Sequence, residues 1–249
     1  MKNQETFENV NPYENSPLSK KSQVIKLFNS ISDAYDIVNK ILFFGLHGVW
    51  RKKVAKILKR KKPIKILDIA TGTGDLAIDL LETKAEEIIG IDISEDMLKI
   101  GQNKVNKRGL NDRIKIQIGD AENLDFKDNY FDAITCSFGV RNFDNLNKAL
   151  NEINRTLKPN GTFVVLETSN PENFPFKQGH YMYIKYIVPF VGRLFSKDKY
   201  AYKYLSKSLT KFPSGIDFNN ILDKTGFINI ENRPQTFGAT TIYVANKLL

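Results

Sequence analysis

Residues 64–77 read Ile64-Lys65-Ile66-Leu67-Asp68-Ile69-Ala70-Thr71-Gly72-Thr73-Gly74-Asp75-Leu76-Ala77. A run rich in isoleucine closes on a carboxylate, two glycines follow one residue apart, and apolar positions then resume at helical spacing. That is a strand, a tight turn and the start of a helix. Gly72 and Gly74 let the backbone turn sharply and leave no Cβ between it and a ligand. The alternation continues along the chain. Strands are predicted at 87–92 (EIIGID), 114–119 (IKIQIG), 131–138 (FDAITCSF) and 161–168 (GTFVVLET), with helices near 75–83, 95–108 and 144–157. Strands that read as continuous apolar runs between helices form a parallel sheet covered on both faces. Pro159-Asn160-Gly161 stops the chain before the fifth strand. GFINIENR (226–233) and TTIYVANK (240–247) add a hairpin at the sheet edge. The expected fold class is therefore α/β, a mostly parallel seven-stranded sheet with helices on both faces. Residues 19–60 are helical ahead of it, and a tyrosine-rich stretch, 174–211, interrupts the core between the fifth and sixth strands. The expected organisation is an N-terminal tail and helical cap over 1–62, then a core over 63–249 with a helical lid insertion at 174–211.

Asp92 ends the second strand, where a carboxylate can accept both hydroxyls of a ribose. Asp120-Ala121 ends the third, where a polar side chain can meet an adenine edge. Three neighbouring strand ends thus offer polar groups to one crevice, which is where open α/β sheets bind ligands. Gly72-x-Gly74-x-x-Ala77 also matches the dinucleotide fingerprint, and alone it distinguishes poorly. Asp68, inside the strand and four residues ahead of Gly72, favours S-adenosylmethionine. Its charge can serve the cationic methionine end, or order the glycine loop. A nicotinamide or flavin cofactor and a plain tight turn remain the competing readings. The expected cofactor contacts are Asp68, Gly72, Thr73, Gly74, Asp92, Asp120 and Ala121, with Ser137 at the end of the fourth strand. A buried strand-end hydroxyl is the alternative for Ser137.

With 249 residues, 41% of them hydrophobic, the chain can bury one large core. A single cysteine, Cys136, leaves no intrachain disulfide and reads as a small buried hydrophobe; with only two histidines, no ordinary zinc site is expected. The polar N-terminus lacks a signal-peptide core and no uncharged apolar run reaches 18 residues, so a cytoplasmic location is expected. The net charge of +9 is unevenly spread. Residues 1–62 hold 13 basic against 5 acidic side chains, 63–173 hold 13 against 19, and 174–211 hold 8 against 1. Two basic segments flank an acidic core, which suits attachments that face an anionic membrane or a nucleic acid, or simply a solubilising surface.

Further motifs carry a resemblance. Tyr35-Asp36-Ile37-Val38-Asn39, followed by His47 and Trp50, resembles the first signature of the quinone C-methyltransferase family that makes menaquinone and ubiquinone. Val38 stands where methionine is usual and Phe43 where serine is usual. Arg155-Thr156-Leu157-Lys158-Pro159-Asn160-Gly161, closing with Leu166-Glu167-Thr168-Ser169, resembles the second signature, with Thr156 and Asn160 in place of valine and glycine. Ser137-Phe138-Gly139-Val140-Arg141-Asn142 is similar to the family's substrate-side loop. The likeness runs from about residue 20 to the C-terminus. It implies a class I Rossmann-like methyltransferase fold, S-adenosylmethionine as cofactor and methylation of a ring carbon of demethylmenaquinol, closing menaquinone synthesis. Glu167-Thr168-Ser169 and the aromatic stretch Tyr181–Tyr186 resemble members serving menaquinone alone. A bifunctional enzyme, and a methyltransferase on RNA or another small acceptor, are the alternatives.

Such chemistry needs no metal. The ring carbon becomes nucleophilic when the neighbouring hydroxyl loses its proton, so the protein must supply alignment and stabilise a phenolate. Arg141 is the first choice for that stabilisation, acting on the hydroxyl's pKa through an ordered water; a structural ion pair with a helix carboxylate is the alternative. Asn142 fixes the ring hydroxyl or that water, or else caps a helix at Phe143-Asp144. His47 is a general base or a packing residue. Tyr35 and Asp36 close over the cofactor or pack the first helices. Residues 181–190 are too short to cross a bilayer and read as an aromatic lid that admits an isoprenoid tail, or as a packed helix. The expected partners are a lipophilic demethylmenaquinol and a peripheral contact with anionic lipid at the inner face of the membrane. No nucleic acid is expected, and a homodimer is left open.

Overall fold

The computed structural model describes residues 7, 10–195 and 199–249. Helix α1 spans Lys20–Leu42, and the Ser19 hydroxyl ahead of it accepts from the Ser22 amide. The helical region expected over 19–60 is two helices. Phe44 and Gly45 both take left-handed φ, 49° and 73°, and the chain restarts as α2, Leu46–Lys59. Glycine makes that turn cheap.

Strand β1 (Lys65–Ile69) leads through the glycine loop into the short α3, Asp75–Asp79, and a 3-10 turn, Leu80–Thr83. Then come β2 (Glu87–Asp92), α4 (Glu95–Lys107), β3 (Ile114–Ile118), β4 (Phe131–Ser137), α5 (Leu146–Thr156) and β5 (Leu157–Thr168). The lid follows as α6 (Phe176–Met182), a π-turn over Tyr183–Ile187, α7 (Val188–Phe195) and α8 (Lys199–Lys211). Helix α9 (Ile216–Lys224), β6 (Phe227–Gln235) and β7 (Thr240–Lys247) complete the chain.

The seven strands run in the order β3-β2-β1-β4-β5-β7-β6, the first five parallel and β7 antiparallel to both neighbours. The expected terminal hairpin is present, with the later strand inserted next to β5 and β6 at the edge. β5 begins at Leu157, ahead of the Pro-Asn-Gly stop read from sequence. Leu157 pairs with Phe131 and Thr162 with Ala133, so residues 158–161 bulge. Pro159 sits in that bulge, where its missing N–H breaks no ladder bond.

Strand side chains divide between two cores. Leu67, Ile69 and Ile91 pack with Leu150, Ile153, Phe218 and Leu222 of α5 and α9 on one face. Ile66, Ile88 and Val164 pack with Trp50, Leu58, Leu76 and Val105 on the other. A third core lies off the sheet. Leu27, Ile31, Val38 and Leu42 of α1 meet Val188, Ala201, Tyr202 and Tyr204 of the lid. Cap and lid, far apart in sequence, thus form one body. Strand order reverses between β1 and β4, so the crevice for a ligand opens beyond their C-terminal ends.

Candidate active site

The crevice floor is the turn after β1. Ala70, Gly72 and Gly74 have φ of 53°, 54° and 77°, and Phe138, at the end of β4, has 56°. Left-handed backbone at two residues that carry Cβ atoms is strained, and such strain concentrates at functional sites. The loop is pinned by Thr71 N donating to Ile91 O at 2.9 Å and Gly74 N to Thr71 O at 2.9 Å. Asp68 lies beneath, 1% exposed. Its two oxygens accept from the Thr71 and Thr135 hydroxyls, both at 2.6 Å. Burial raises its pKa to about 6, against the pull of those hydroxyls. Of its two sequence readings, ordering the loop is visible in these bonds. Gly101 of α4 backs the turn: a Cβ there would meet the Thr73 carbonyl carbon at 3.1 Å.

Asp92 accepts from Gly72 N at 2.8 Å and Ser94 N at 2.9 Å, and burial raises its pKa. Asp120 accepts from Glu122 N at 2.9 Å and is ion-paired at 2.8 Å to Lys21 of α1, which also reaches Glu122 at 3.0 Å. Asp92, Asp120, Ala121, Gly72, Ser137 and Asn142 line one compartment together with Met97 and Ile93. Helix α1 is tied to the walls of the cleft at three points: Lys21 on Asp120, Asn29 accepting from the Ser94 hydroxyl at 2.6 Å, and Asp36 at the glycine turn. Asp36 accepts from the Thr73 hydroxyl at 2.7 Å and pairs with Lys104 at 2.6 Å. Lys104 in turn pairs with Asp75 at 2.7 Å.

A second compartment adjoins the first across Tyr35, Gly72, Ser137, Phe138 and Asn142. It brings together Asp68, Thr73, Arg141, His47, Tyr202 and Tyr204. Arg141 is buried, and its Nη1 pairs with the fully buried Glu167 at the end of β5. Arg141 Nε and Glu167 Oε2 have no hydrogen-bond partner among the described residues. Glu167 also accepts from the Thr168 amide at 2.8 Å. The ion-pair partner of Arg141 is thus a strand carboxylate, not a helix one. Asn142 lies in a 3-10 turn, Val140–Asn142, and accepts from the Tyr204 hydroxyl at 3.1 Å. It caps no helix: the cap of α5 is Asn145, whose side chain accepts from Lys148 N. Burial, aided by Arg51, lowers the pKa of His47, and its Nδ1 is buried without a partner among the described residues. Phe43 stacks on Phe138 at 5.7 Å and sets its edge against Trp50 at 5.9 Å. Cys136 is buried, as expected.

Nine of the ten site residues named from sequence thus border one bipartite cleft; the tenth, Gly74, lies behind the turn against Gly101 of α4. Sequence reasoning missed the partners: Lys21 at Asp120, Lys104 and Gly101 around the turn, and Glu167 and Tyr204 behind Arg141 and Asn142. Glu167 had a signal, since a buried arginine after β4 requires a carboxylate and β5 is the adjacent strand.

The family model described as the ubiE/COQ5 methyltransferase family matches residues 17–247. The demethylmenaquinone methyltransferase of Bacteroides fragilis is 43% identical over 241 residues, spanning 96% of this chain and 98% of that protein. That of Bacillus cereus is 37% identical over 231 residues, spanning 92% and 97%. Among solved structures, a SAM-dependent methyltransferase from Thermotoga maritima superposes with a TM-score of 0.61 at 20% identity, covering 90% of this chain and 99% of that one. The cyclase SpnF does so at 0.57 and 17% identity, covering 80% and 81%. Likeness at that identity carries the fold alone, and a cyclase with this fold illustrates why a reaction is read from its site. The sheet order, the cleft at its switch point and a match over nearly the whole length converge: this chain belongs to the ubiE/COQ5 methyltransferase family.

Proposed function

We propose that the protein transfers the methyl group of S-adenosylmethionine to a ring carbon of a demethylmenaquinol, giving menaquinol. The observation that carries this reading is the bipartite cleft, with carboxylates and a glycine turn in one half and a buried arginine under aromatic side chains in the other.

The residues present fit the cofactor. A Cβ built on Gly72 meets nothing within 4 Å, so the turn faces open space where a ligand can lie. Asp92 holds Gly72 N and Ser94 N yet retains acceptor capacity for ribose hydroxyls. In this reading Gly72 and Thr73 bed the methionine end, Gly74 turns the loop behind them, and Asp68 favours the cofactor's positive charge. Asp92 takes the ribose, Asp120 and Ala121 border the adenine, and Ser137 lines the pocket between the two halves. When bound, the cofactor supplies an electrophilic methyl group. The protein's own task is to raise the electron density of the acceptor carbon and to aim it. Arg141 stabilises the phenolate that forms when the quinol hydroxyl loses its proton, with Glu167 holding the guanidinium in place. Asn142, held by Tyr204, orients the hydroxyl. His47 offers a neutral imidazole with a free Nδ1 as proton acceptor.

A membrane contact belongs to the same reading. Phe174 and Phe190, 80% and 62% exposed, stand among the lysines of the lid, a combination that suits an interface with anionic lipid. No helix among the described residues is long and apolar enough to cross a membrane.

Transfer of a radiolabelled methyl group tests the reading. The wild type labels demethylmenaquinol and leaves tRNA unlabelled; the reverse outcome overturns it. Arg141→Ala lowers turnover about 10²- to 10³-fold. It also strands Glu167, at a cost of about 3–5 kcal/mol of stability. Arg141→Met combined with Glu167→Leu removes both charges, and it recovers the melting temperature without recovering activity. Turnover in that double variant would exclude Arg141 from the chemistry.

A further inference from the structure

Behind Phe43 the arginine-side compartment is followed by another cavity, of about 170 Å3. Its walls include Phe43, Trp50, Ile184, Val188, Leu205 and Leu209, drawn from the end of α1, from α2 and from the lid. Most polar atoms at its edge are engaged elsewhere, the exception being Thr240 Oγ1, buried without a partner among the described residues. Trp50 Nε1 donates to the Thr236 hydroxyl at 3.2 Å, the Thr168 hydroxyl donates to Glu167, and the Tyr183 hydroxyl donates to the Leu42 carbonyl. What faces the space is almost entirely carbon. A cavity with such walls accepts apolar guests.

Two features connect it to the site. Phe43 and Leu205 line both this cavity and the Arg141 compartment, so a hydrocarbon attached to a ring beside Arg141 can run past them. At the surface, Phe44 is itself part of the wall and is 80% exposed, and Phe237, 71% exposed, adjoins the wall residue Thr236 and stacks on Phe176 at 4.0 Å. Apolar side chains collected around an opening mark an entry for something apolar.

We infer that this cavity receives the isoprenoid chain of the acceptor and that Phe43 is the partition between ring and chain. The inference rests on the proposed quinol acceptor and extends it, because it says where selectivity for a prenylated substrate resides. The ring is positioned by polar groups on one side of Phe43, and the chain by shape and burial on the other.

Trp50 is the sole tryptophan of the sequence and is 4% exposed in the cavity wall, so its fluorescence reports occupancy without turnover. A brominated isoprenoid alcohol, which carries no quinol ring, is expected to quench it. Ala239→Phe, at a half-buried wall position, weakens that quenching. The same variant raises KM about tenfold for a long-chain demethylmenaquinol and leaves KM for the chainless naphthoquinol unchanged. Leu209→Phe, from the opposite wall, repeats the pattern, and melting curves identify any variant that has lost its fold. Absence of quenching in the wild type, or equal changes for both acceptors in both variants, would overturn the inference. Quenching of a wild type that methylates neither acceptor would instead overturn the proposed function and leave the cavity assignment standing.

Discussion

Asp68 shows how much one carboxylate can be asked to do. It was legible from its place four residues before Gly72, with two uses open, and its bonds to Thr71 and Thr135 disclose the structural one. The same burial has a pH consequence. The folded pKa, about 6, exceeds the ordinary 3.8, so between those values the native state holds a proton that the unfolded chain lacks. The contribution of Asp68 to stability therefore improves as pH falls through 6 and worsens as it rises. A cation bound nearby favours the charged form, so cofactor affinity moves the other way. Calorimetric titration on either side of pH 6 is expected to show weaker S-adenosylmethionine binding on the acid side, with the slope flattened in Asp68→Asn. Asp92 and Asp120 were equally legible as strand-end acids. What local pattern could not show is that Lys21, 99 residues away, already holds Asp120, because a long-range partner leaves no trace in the spacing around a residue.

At the scale of elements, the parallel core was readable because each buried strand is a short apolar run bounded by a polar end. The break between α1 and α2 was less so. Apolar periodicity continues across Phe43 and Phe44, and only Gly45, at φ 73°, marks the turn. β5 likewise starts before its proline, since a bulge opposite Asp132 absorbs residues 158–161. The contact of α4 with the cofactor turn was invisible for a different reason. Gly101 looks like an isolated glycine in a helix, yet it lets that helix approach the Thr73–Gly74 backbone, where a Cβ would sit 3.1–3.3 Å from main-chain atoms. Main chain cannot swing aside as a flexible side chain can. Gly101→Ala is therefore expected to destabilise the fold by about 1–3 kcal/mol, despite alanine's better helix propensity, and to weaken cofactor binding as the turn shifts. Thermal melting and titration of the one variant check both, and a stabilised protein with normal affinity would contradict the packing argument.

Over the whole molecule, only part of the charge division read from sequence gathers in one place. Helix α1, from the first basic segment, meets the basic lid through an apolar seam and forms one roof above an acidic crevice, while the basic residues of α2 belong to a helix packed in the second core. Each lysine or arginine near an anionic surface is worth on the order of 1 kcal/mol. Flotation with vesicles is expected to recover the protein when anionic lipid is present and to lose it as salt rises; recovery indifferent to both would leave the roof as a solubilising face. The roof's making was beyond sequence reading, since its two halves are joined only by tertiary packing. The floor beneath it has its own consequence. Ala70 sustains a left-handed backbone that glycine would adopt without effort, and it does so where the cleft needs a fixed shape. Relaxing that angle would make a hardier molecule with a looser bed for its ligands. Heat resistance and turnover therefore compete at position 70, and any thermostable descendant has to find its extra stability elsewhere in the chain.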